Sequence, residues 1–294
     1  MKGLKESRKS FEASFDKLFE AYPELKQRAA CGLCGRGSQC LGYDDEISRD
    51  HDFENGFIVW LCDDDFEKFG YLIKKEYQRL FVSHKEDSIY GIYSVGEFIK
   101  STVSAVPQSP IDWLNIPEHA LLSATNGEIF YDGAGEISNI RKMIKNCPKD
   151  VFIKRASAHL SLASQAGEYN FSRLIERGDI GSATLTIAEF VKHIIYAAHA
   201  IYQHFTPFYK WQLRSISELD EELCSKLNIL LLSQKSYSQL DNNLHIIALI
   251  AKHIKIIANL PIKSDSLGDM AIYMQSLISD KSLKPLHLMD YGVE

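Results

Sequence analysis

The chain contains no run of about 18 uncharged apolar residues, the length a membrane-spanning helix needs. No membrane span is expected from it. Its opening residues, MKGLKESRKSFEASFDKLF, carry acids and bases throughout and lack the apolar centre of a secretory signal. Cysteine is sparse, and six in 294 residues do not make the disulfide framework of a secreted domain. A reduced, cytoplasmic setting is the expectation that follows. Surplus positive charge is missing too: acids outnumber bases 39 to 33, for a formal charge of -6. A protein that tracks a nucleic-acid backbone normally presents excess Lys and Arg, because phosphate neutralisation supplies most of the affinity. A nucleic-acid partner is therefore disfavoured, a local basic patch aside. No internal repeat or low-complexity tract is found.

What is present describes an ordinary folded protein, with 45% hydrophobic and 11% aromatic residues. A chain of 294 residues buries one large core or two modest ones, and the usual domain size favours two. Residues from about 4 to 30 read as an amphipathic helix, with Phe11, Phe15, Leu18, Phe19 and Tyr22 at three- and four-residue spacing. Pro23 bends or restarts it. The small residues of Cys31 to Gly42 suit a short strand running into a tight loop. After the acidic run Asp44-Asp45-Glu46, the apolar stretch Phe57 to Leu61 reads as a buried strand.

Asp64 to Val82 returns to a helical period. Ser88 to Val95 and Glu128 to Tyr131 suit further strands, the second ending at Asp132-Gly133. Strand signals then vanish. Residues 137–145, 150–166, 184–205 and 244–260 carry helical apolar spacing, which suggests a helical bundle. The expected boundary divides an α/β half at 1–135 from an all-helical half at 136–294.

Chemistry concentrates in Gly35-Arg36-Gly37-Ser38, followed by Ser48-Arg49-Asp50-His51-Asp52-Phe53. On a strand, alternate residues share a face, so Asp50 and Asp52 project side by side. Keeping both ionised is costly unless a cation lies between them. Magnesium suits that role, since it takes oxygen ligands from one or two carboxylates plus substrate phosphates. Gly37 and Ser38 offer backbone N–H groups without an obstructing Cβ, plus a hydroxyl, to an approaching phosphate. By itself, Asp-x-Asp is as readily a solvated acidic turn. The ordered combination is more specific: Gly-Ser, eleven residues, Asp-x-Asp, then an apolar strand.

That order resembles the signature of the DNA polymerase β-type nucleotidyltransferase superfamily. Within it, aminoglycoside and lincosamide nucleotidyltransferases append a helical bundle to the catalytic domain. The run from Gly37 to Asp52 resembles a bacterial group of uncharacterised nucleotidyltransferases with a helical C-terminal domain. So do Ile116-Pro117-Glu118-His119, the stretch Thr125 to Asp132, and Tyr169-Asn170 with Arg173, Arg177, Gly178 and Asp179. Phe208-Tyr209-Lys210-Trp211 completes the likeness, which covers roughly residues 25 to 215.

The resemblance implies an α+β fold: a nucleotidyltransferase-type mixed sheet with helices, then an all-α helical bundle. It implies that Gly37 and Ser38 contact the triphosphate, while Asp50 and Asp52 hold two Mg2+ ions. A third carboxylate often serves as metal ligand or general base, and Glu97, Glu128 and Asp132 are candidates. Asp132 is preferred because it ends an apolar strand, although a turn-forming Asp-Gly explains it equally. Helical-domain cations commonly clamp the triphosphate in such enzymes. Lys210, in an aromatic cluster, fits that role unless its stem snorkels over the rings. Arg177 and Arg173 share a helical face, although Glu176 or Asp179 accounts for them as salt-bridge partners.

The implied reaction transfers a nucleoside monophosphate, most simply AMP from ATP, onto the hydroxyl of a small molecule. A protein or RNA acceptor, or a nucleotide-binding pseudoenzyme, remains open, as does the oligomeric state. Cys31, Cys34, Cys40 and Cys62 lack the second ligand pair of a structural zinc site and read as packing residues. His193, His199, His204, His245 and His253 do not form the i, i+4 metal pair. Asp63 to Asp65 read as helix-terminus acids.

Overall fold

The computed structural model describes residues 2–45, 56–81 and 89–293. Asp50 and Asp52 lie outside the described residues, as do Glu46, Val82 and Ser88. The chain divides into two compact units. The first comprises Met1–Pro107 and Ala120–Asn146; the second comprises Gln108–His119 and Cys147–Glu294.

The first unit opens with α1 (Lys2–Leu18), whose Phe11 and Phe15 meet the sheet's aromatic residues Phe57, Phe130 and Tyr131. Pro23 starts a 3-10 turn over Pro23–Gln27, where its fixed φ suits a first helical position. Among the described residues four strands form one sheet in the order β3-β2-β1-β4. They are β1 (Ala30–Leu33), β2 (Ile58–Leu61), β3 (Gly91–Ser94) and β4 (Glu128–Asp132). β1 is antiparallel to β2 and β4, while β2 and β3 are parallel. The parallel pair needs a crossover, and α3 (Asp63–Leu80) supplies it. All four residues of β1 and of β2 are buried, so both read as continuous small or apolar runs rather than alternating ones.

The short helix α2 (Ser38–Leu41) follows β1, and α4 (Val95–Val103) begins directly from β3. Between β1 and β4 the register slips: Cys31 faces Tyr131, but Gly32 faces Ile129. Phe130 is thereby the extra residue of a bulge. A bulge breaks side-chain alternation, and Phe130 and Tyr131 consequently both meet α1. The helix α7 (Glu136–Lys145) returns from β4 and buries Ile137 and Ile144.

The second unit begins with α5 (Pro110–Leu114), although that segment precedes β4 in sequence. Its capping box, Ser109 with Asp112, and Pro110 in the first turn explain its start. α6 (Glu118–Thr125) has its first two residues in this unit and the rest in the first. α8 (Lys149–Ala163) packs against α10 (Ile180–Ile201) around Ala156, Leu160, Ile187, Phe190 and Ile194.

A π-helical stretch, Ser164–Asn170, prolongs α8 and leads into α9 (Phe171–Glu176). Asp179 starts α10 by accepting the Ser182 N–H at 3.0 Å. Then come α11 (Gln212–Leu219), α12 (Glu221–Leu232), α13 (Leu240–Ile257) and α14 (Leu267–Ser276). Among the described residues no strand follows Asp132. The architecture is α+β: a small mixed sheet with helices, then helices alone. Among the described residues no helix is long and apolar enough to cross a membrane.

Candidate functional site

β1 ends at Leu33, and residues 34–37 turn the chain into α2 at Ser38. Gly35 and Gly37 have φ of 116° and 115°, a region that side chains with a Cβ rarely adopt. A Cβ built on Gly35 would meet nothing within 4 Å. Conformation therefore calls for glycine here, and the backbone is left open on that side. Arg36, between the two glycines, is exposed. Ser38 is only 5% exposed, so the hydroxyl that the sequence offers to a phosphate belongs to a mostly covered residue.

The turn is held from β4's side of the sheet. Asn126 Oδ1 accepts the Gly35 N–H at 2.9 Å, and Asn126 Nδ2 donates to the Gly35 carbonyl at 2.8 Å. Gly127, at φ 60°, approaches so closely that a Cβ would lie 1.9 Å from the Leu33 carbonyl oxygen. Its N–H bonds the Cys40 carbonyl at 2.9 Å. The buried Arg141 on α7 donates to the carbonyls of Ala124, Thr125 and Asn126 at 3.2, 3.0 and 2.7 Å. Those are carbonyls from the last turn of α6 and just beyond, which lack helical partners. Sequence reasoning assigned no role to Asn126 or Arg141. The Asn-Gly pair before an apolar strand was the available signal.

β2 runs antiparallel to β1, so Ile58 lies opposite Gly32, at the glycine-turn end of the sheet. Glu128 lies opposite Leu33 at that same end. Its carboxylate pairs with Arg8 of α1, whose guanidinium lies 4.8 Å from the Phe130 ring centroid. Asp132, the preferred third carboxylate, lies opposite Ala30. Three residue steps along the strand lead from Ala30 to Leu33, roughly 10 Å. The structure thus does not bring Asp132 together with Gly37 and Ser38.

Asp132 Oδ2 accepts the Ser138 N–H in the first turn of α7 at 2.8 Å, and its Oδ1 is buried with no hydrogen-bond partner among the described residues. Burial, then the nearby Asp63 and Asp132, raise the pKa of Glu136. Glu97 also stands at this far end: β3 aligns Ser94 with Leu61, and Ser94 caps the helix on which Glu97 lies. Asp63 to Asp65 form the first turn of α3, where their charge complements the helix dipole. Asp65 makes a two-pronged bond with Arg28 at 2.7 and 3.0 Å, which lowers its pKa.

Lys210 and Arg177 belong to the second unit, whereas Gly37, Ser38 and Asp132 belong to the first. Lys210 is exposed, with its ammonium 5.3 Å from the Trp211 ring centroid. Arg177 closes α9 and is exposed. Arg173 stacks on Tyr169, its guanidinium carbon 3.7 Å from the ring centroid, while Asp179 is engaged in capping α10. The cysteines are free thiols, and burial raises Cys31 well above the ordinary range and Cys34 to about 11. Among the described residues no group of three or more His, Cys, Asp or Glu side chains is arranged to hold a metal ion.

The buried histidines His159, His193 and His199 serve the helical interior. His159 and His193 share a 3.0 Å contact between their Nδ1 atoms, so one donates and the other accepts. Burial, the neighbouring His193 and nearby cations hold the His159 pKa well below its ordinary value. His199 Nδ1 lies 2.8 Å from the Ile195 carbonyl and therefore carries the proton, leaving Nε2 to accept from Ser215 Oγ at 2.8 Å. His253 Nε2 meets Asp220 Oδ2 at 2.7 Å, and Asp220 also accepts from Tyr202 and caps α12.

Comparison with known proteins adds two likenesses. The model of a family described as Domain of unknown function (DUF4037) matches residues 113–212. That span includes Asn126, Asp132, Arg141, Arg177 and Lys210, and does not reach Gly37. The chain is similar to the crystal structure of a nucleotidyltransferase-like protein from Exiguobacterium sibiricum 255-15. There the identity is 14% and the TM-score 0.38, over 90% of this chain and 78% of that one. No curated protein matches.

Proposed function

We propose that this chain is a Mg2+-dependent nucleotidyltransferase that moves a nucleoside monophosphate from a triphosphate, most simply ATP, onto a hydroxyl of a small molecule. The observation that carries the reading is the ordered signature Gly37-Ser38, eleven residues, Asp50-His51-Asp52, then a strand. The glycine turn supports it, because φ near +115° at Gly35 and Gly37 opens the backbone to an anion. In sequence Asp52 precedes Gly56 by four residues, and Gly56 leads into the strand end opposite Gly32.

The oxygen-only donor pair Asp50 and Asp52 fits magnesium. When bound, Mg2+ would neutralise phosphate charge and make the attacking hydroxyl more acidic. The chain's own part is to bind and orient. Backbone N–H groups of the turn beyond Gly35, whose own N–H is held by Asn126, donate to phosphate oxygens. Catalysis then rests mainly on positioning and charge stabilisation. Free thiols and the absence of surplus positive charge suit a cytoplasmic enzyme with a small, non-nucleic-acid acceptor.

The test incubates the protein with Mg2+ and each of the four nucleoside triphosphates, reading binding and then label transfer to candidate acceptors. D50N and D52N should each reduce transfer by about 100-fold or more. Failure of all four triphosphates to bind, with D50N indistinguishable from the parent, would sink the reading.

A further inference from the structure

We propose that Asn126 is the positioning residue that holds the glycine turn in its triphosphate-receiving shape, by supplying with its side chain a sheet rung that its backbone cannot supply. The inference rests on the nucleotidyltransferase reading and extends it to a residue outside the signature.

The register gives the reason. β1 and β4 are antiparallel with Leu33 opposite Glu128. Continuing that pairing sets Cys34 opposite Gly127 and Gly35 opposite Asn126. An ordinary rung at Gly35 would use the backbone N–H and C=O of Asn126. Both are engaged elsewhere: the N–H bonds the Leu122 carbonyl at 2.7 Å, closing α6, and the C=O accepts from Arg141 Nη2 at 2.7 Å. The carboxamide carries one acceptor and two donors in a plane, as a peptide group carries one of each. Its Oδ1 takes the Gly35 N–H and its Nδ2 reaches the Gly35 carbonyl. Asn126 thereby prolongs the ladder by one rung, into the first of the two positive-φ glycines.

Two further contacts make the arrangement specific. Gly127 must lack a Cβ for the chain to come this close to Leu33. Arg141, only 7% exposed, fixes the three preceding carbonyls, so the carboxamide projects from a fixed base. Without the rung, Gly35 regains the wide φ range of a free glycine, and the turn loses its order before any phosphate arrives. A ligand must then supply that ordering. Asn126 need not touch the ligand for this effect.

The experiment compares the full chain with N126A and N126D. Three readings are taken: Tm, amide exchange at residues 35–38, and the Kd for Mg-ATP with the other three Mg-triphosphates as alternates. N126A should leave the Tm within a few degrees, accelerate exchange at Gly35, and raise the Kd by about tenfold. N126D keeps the acceptor and loses the donor, so Gly35 should stay protected while affinity still falls. An unchanged Kd in N126A, with a parent that binds, overturns the positioning role and leaves the nucleotidyltransferase reading intact. A Tm collapse together with exchange throughout the first unit makes Asn126 merely structural and also overturns it. A parent that binds no triphosphate overturns both, even if exchange at Gly35 responds.

Discussion

The two units treat buried polar groups in opposite ways. In the first, the buried Arg141 has a visible task, because its guanidinium meets three helix-end carbonyls that support the glycine turn. In the second, Lys154, Arg155, His159 and His199 are at most 1% exposed and serve the interior itself. Lys154 holds the carbonyls of His287 and Leu288 at 2.7 and 3.0 Å. Arg155 holds those of Trp113 and Ile116 at 2.7 and 2.9 Å and lies 3.6 Å from Glu118. The sheet unit therefore commits a buried polar group to shape at a candidate site. The helical unit commits them to connecting distant segments, and makes its stability sensitive to protonation.

The strongest way to break this contrast is Gly127→Ala. The added Cβ would lie 1.9 Å from a backbone oxygen, at a φ of 60° that already disfavours it. The first unit should lose roughly 3 kcal/mol or more. Amide exchange should rise across β1, β4 and the glycine turn while α8 and α10 stay protected. Equal loss of protection in both units would show a single cooperative body and remove the comparison.

Acid should act chiefly on the second unit. Burial lowers the His199 pKa from 6.5 to about 4, and lowers that of His159 as well. The unfolded chain therefore binds protons below pH 6.5 that the folded chain refuses, so stability falls as pH falls. The His199 contribution is fully present above pH 6.5 and exhausted near pH 4. From pH 6.5 down to 5 it amounts to about 2 kcal/mol. Urea unfolding at several pH values checks this. H199Q, neutral throughout, should flatten the slope, and an unchanged slope would remove His199 as its source.

These sensitivities show what the sequence conceals. Helical periodicity for α1 and α3, and short runs of small or apolar residues for the strands, make most of the first unit legible: α1, β1, β2, α3, β3 and β4 stand close to where those patterns put them. The same holds for α7, α8, α10 and α13. The helices α11, α12 and α14 went unassigned because their segments are short or carry blurred apolar spacing. The glycine turn was visible through its own glycines. Its clamp was not, because Asn126 lies 91 positions from Gly35 and only the strand register joins them. The His159–His193 contact is hidden for the same reason, as it joins residues 34 apart on two helices.

Lys154→Met should have a smaller and local effect. Lys154 donates to three acceptors, including Gln275 Oε1 at 3.2 Å, and burial lowers its pKa to about 8. The substitution removes a buried cation but leaves acceptors unpaired, so the two changes partly offset. A net loss of about 1–2 kcal/mol is expected. It should be read as faster exchange and proteolysis at residues 287–293, with α8 and α10 unaffected. Release of the whole unit would show instead that this lysine anchors the core.

The smallest expected effect is at Arg8. Its pair with Glu128 leaves the side chains 38% and 44% exposed, so water screens the charge. Arg8→Ala should cost at most about 1 kcal/mol, even with the stacking of its guanidinium over Phe130. The two contributions separate by salt. Ionic attraction fades in 1 M salt, where the Debye length is about 3 Å, whereas contact of the stem with the ring persists. Arg8→Met, which keeps an apolar stem, should therefore match the parent in high salt and fall below it in low salt. A loss above 2 kcal/mol that ignores salt would mean that Arg8 is a packing residue between α1 and β4. The first unit would then depend on an interior polar contact much as the second does, and the contrast between them would narrow.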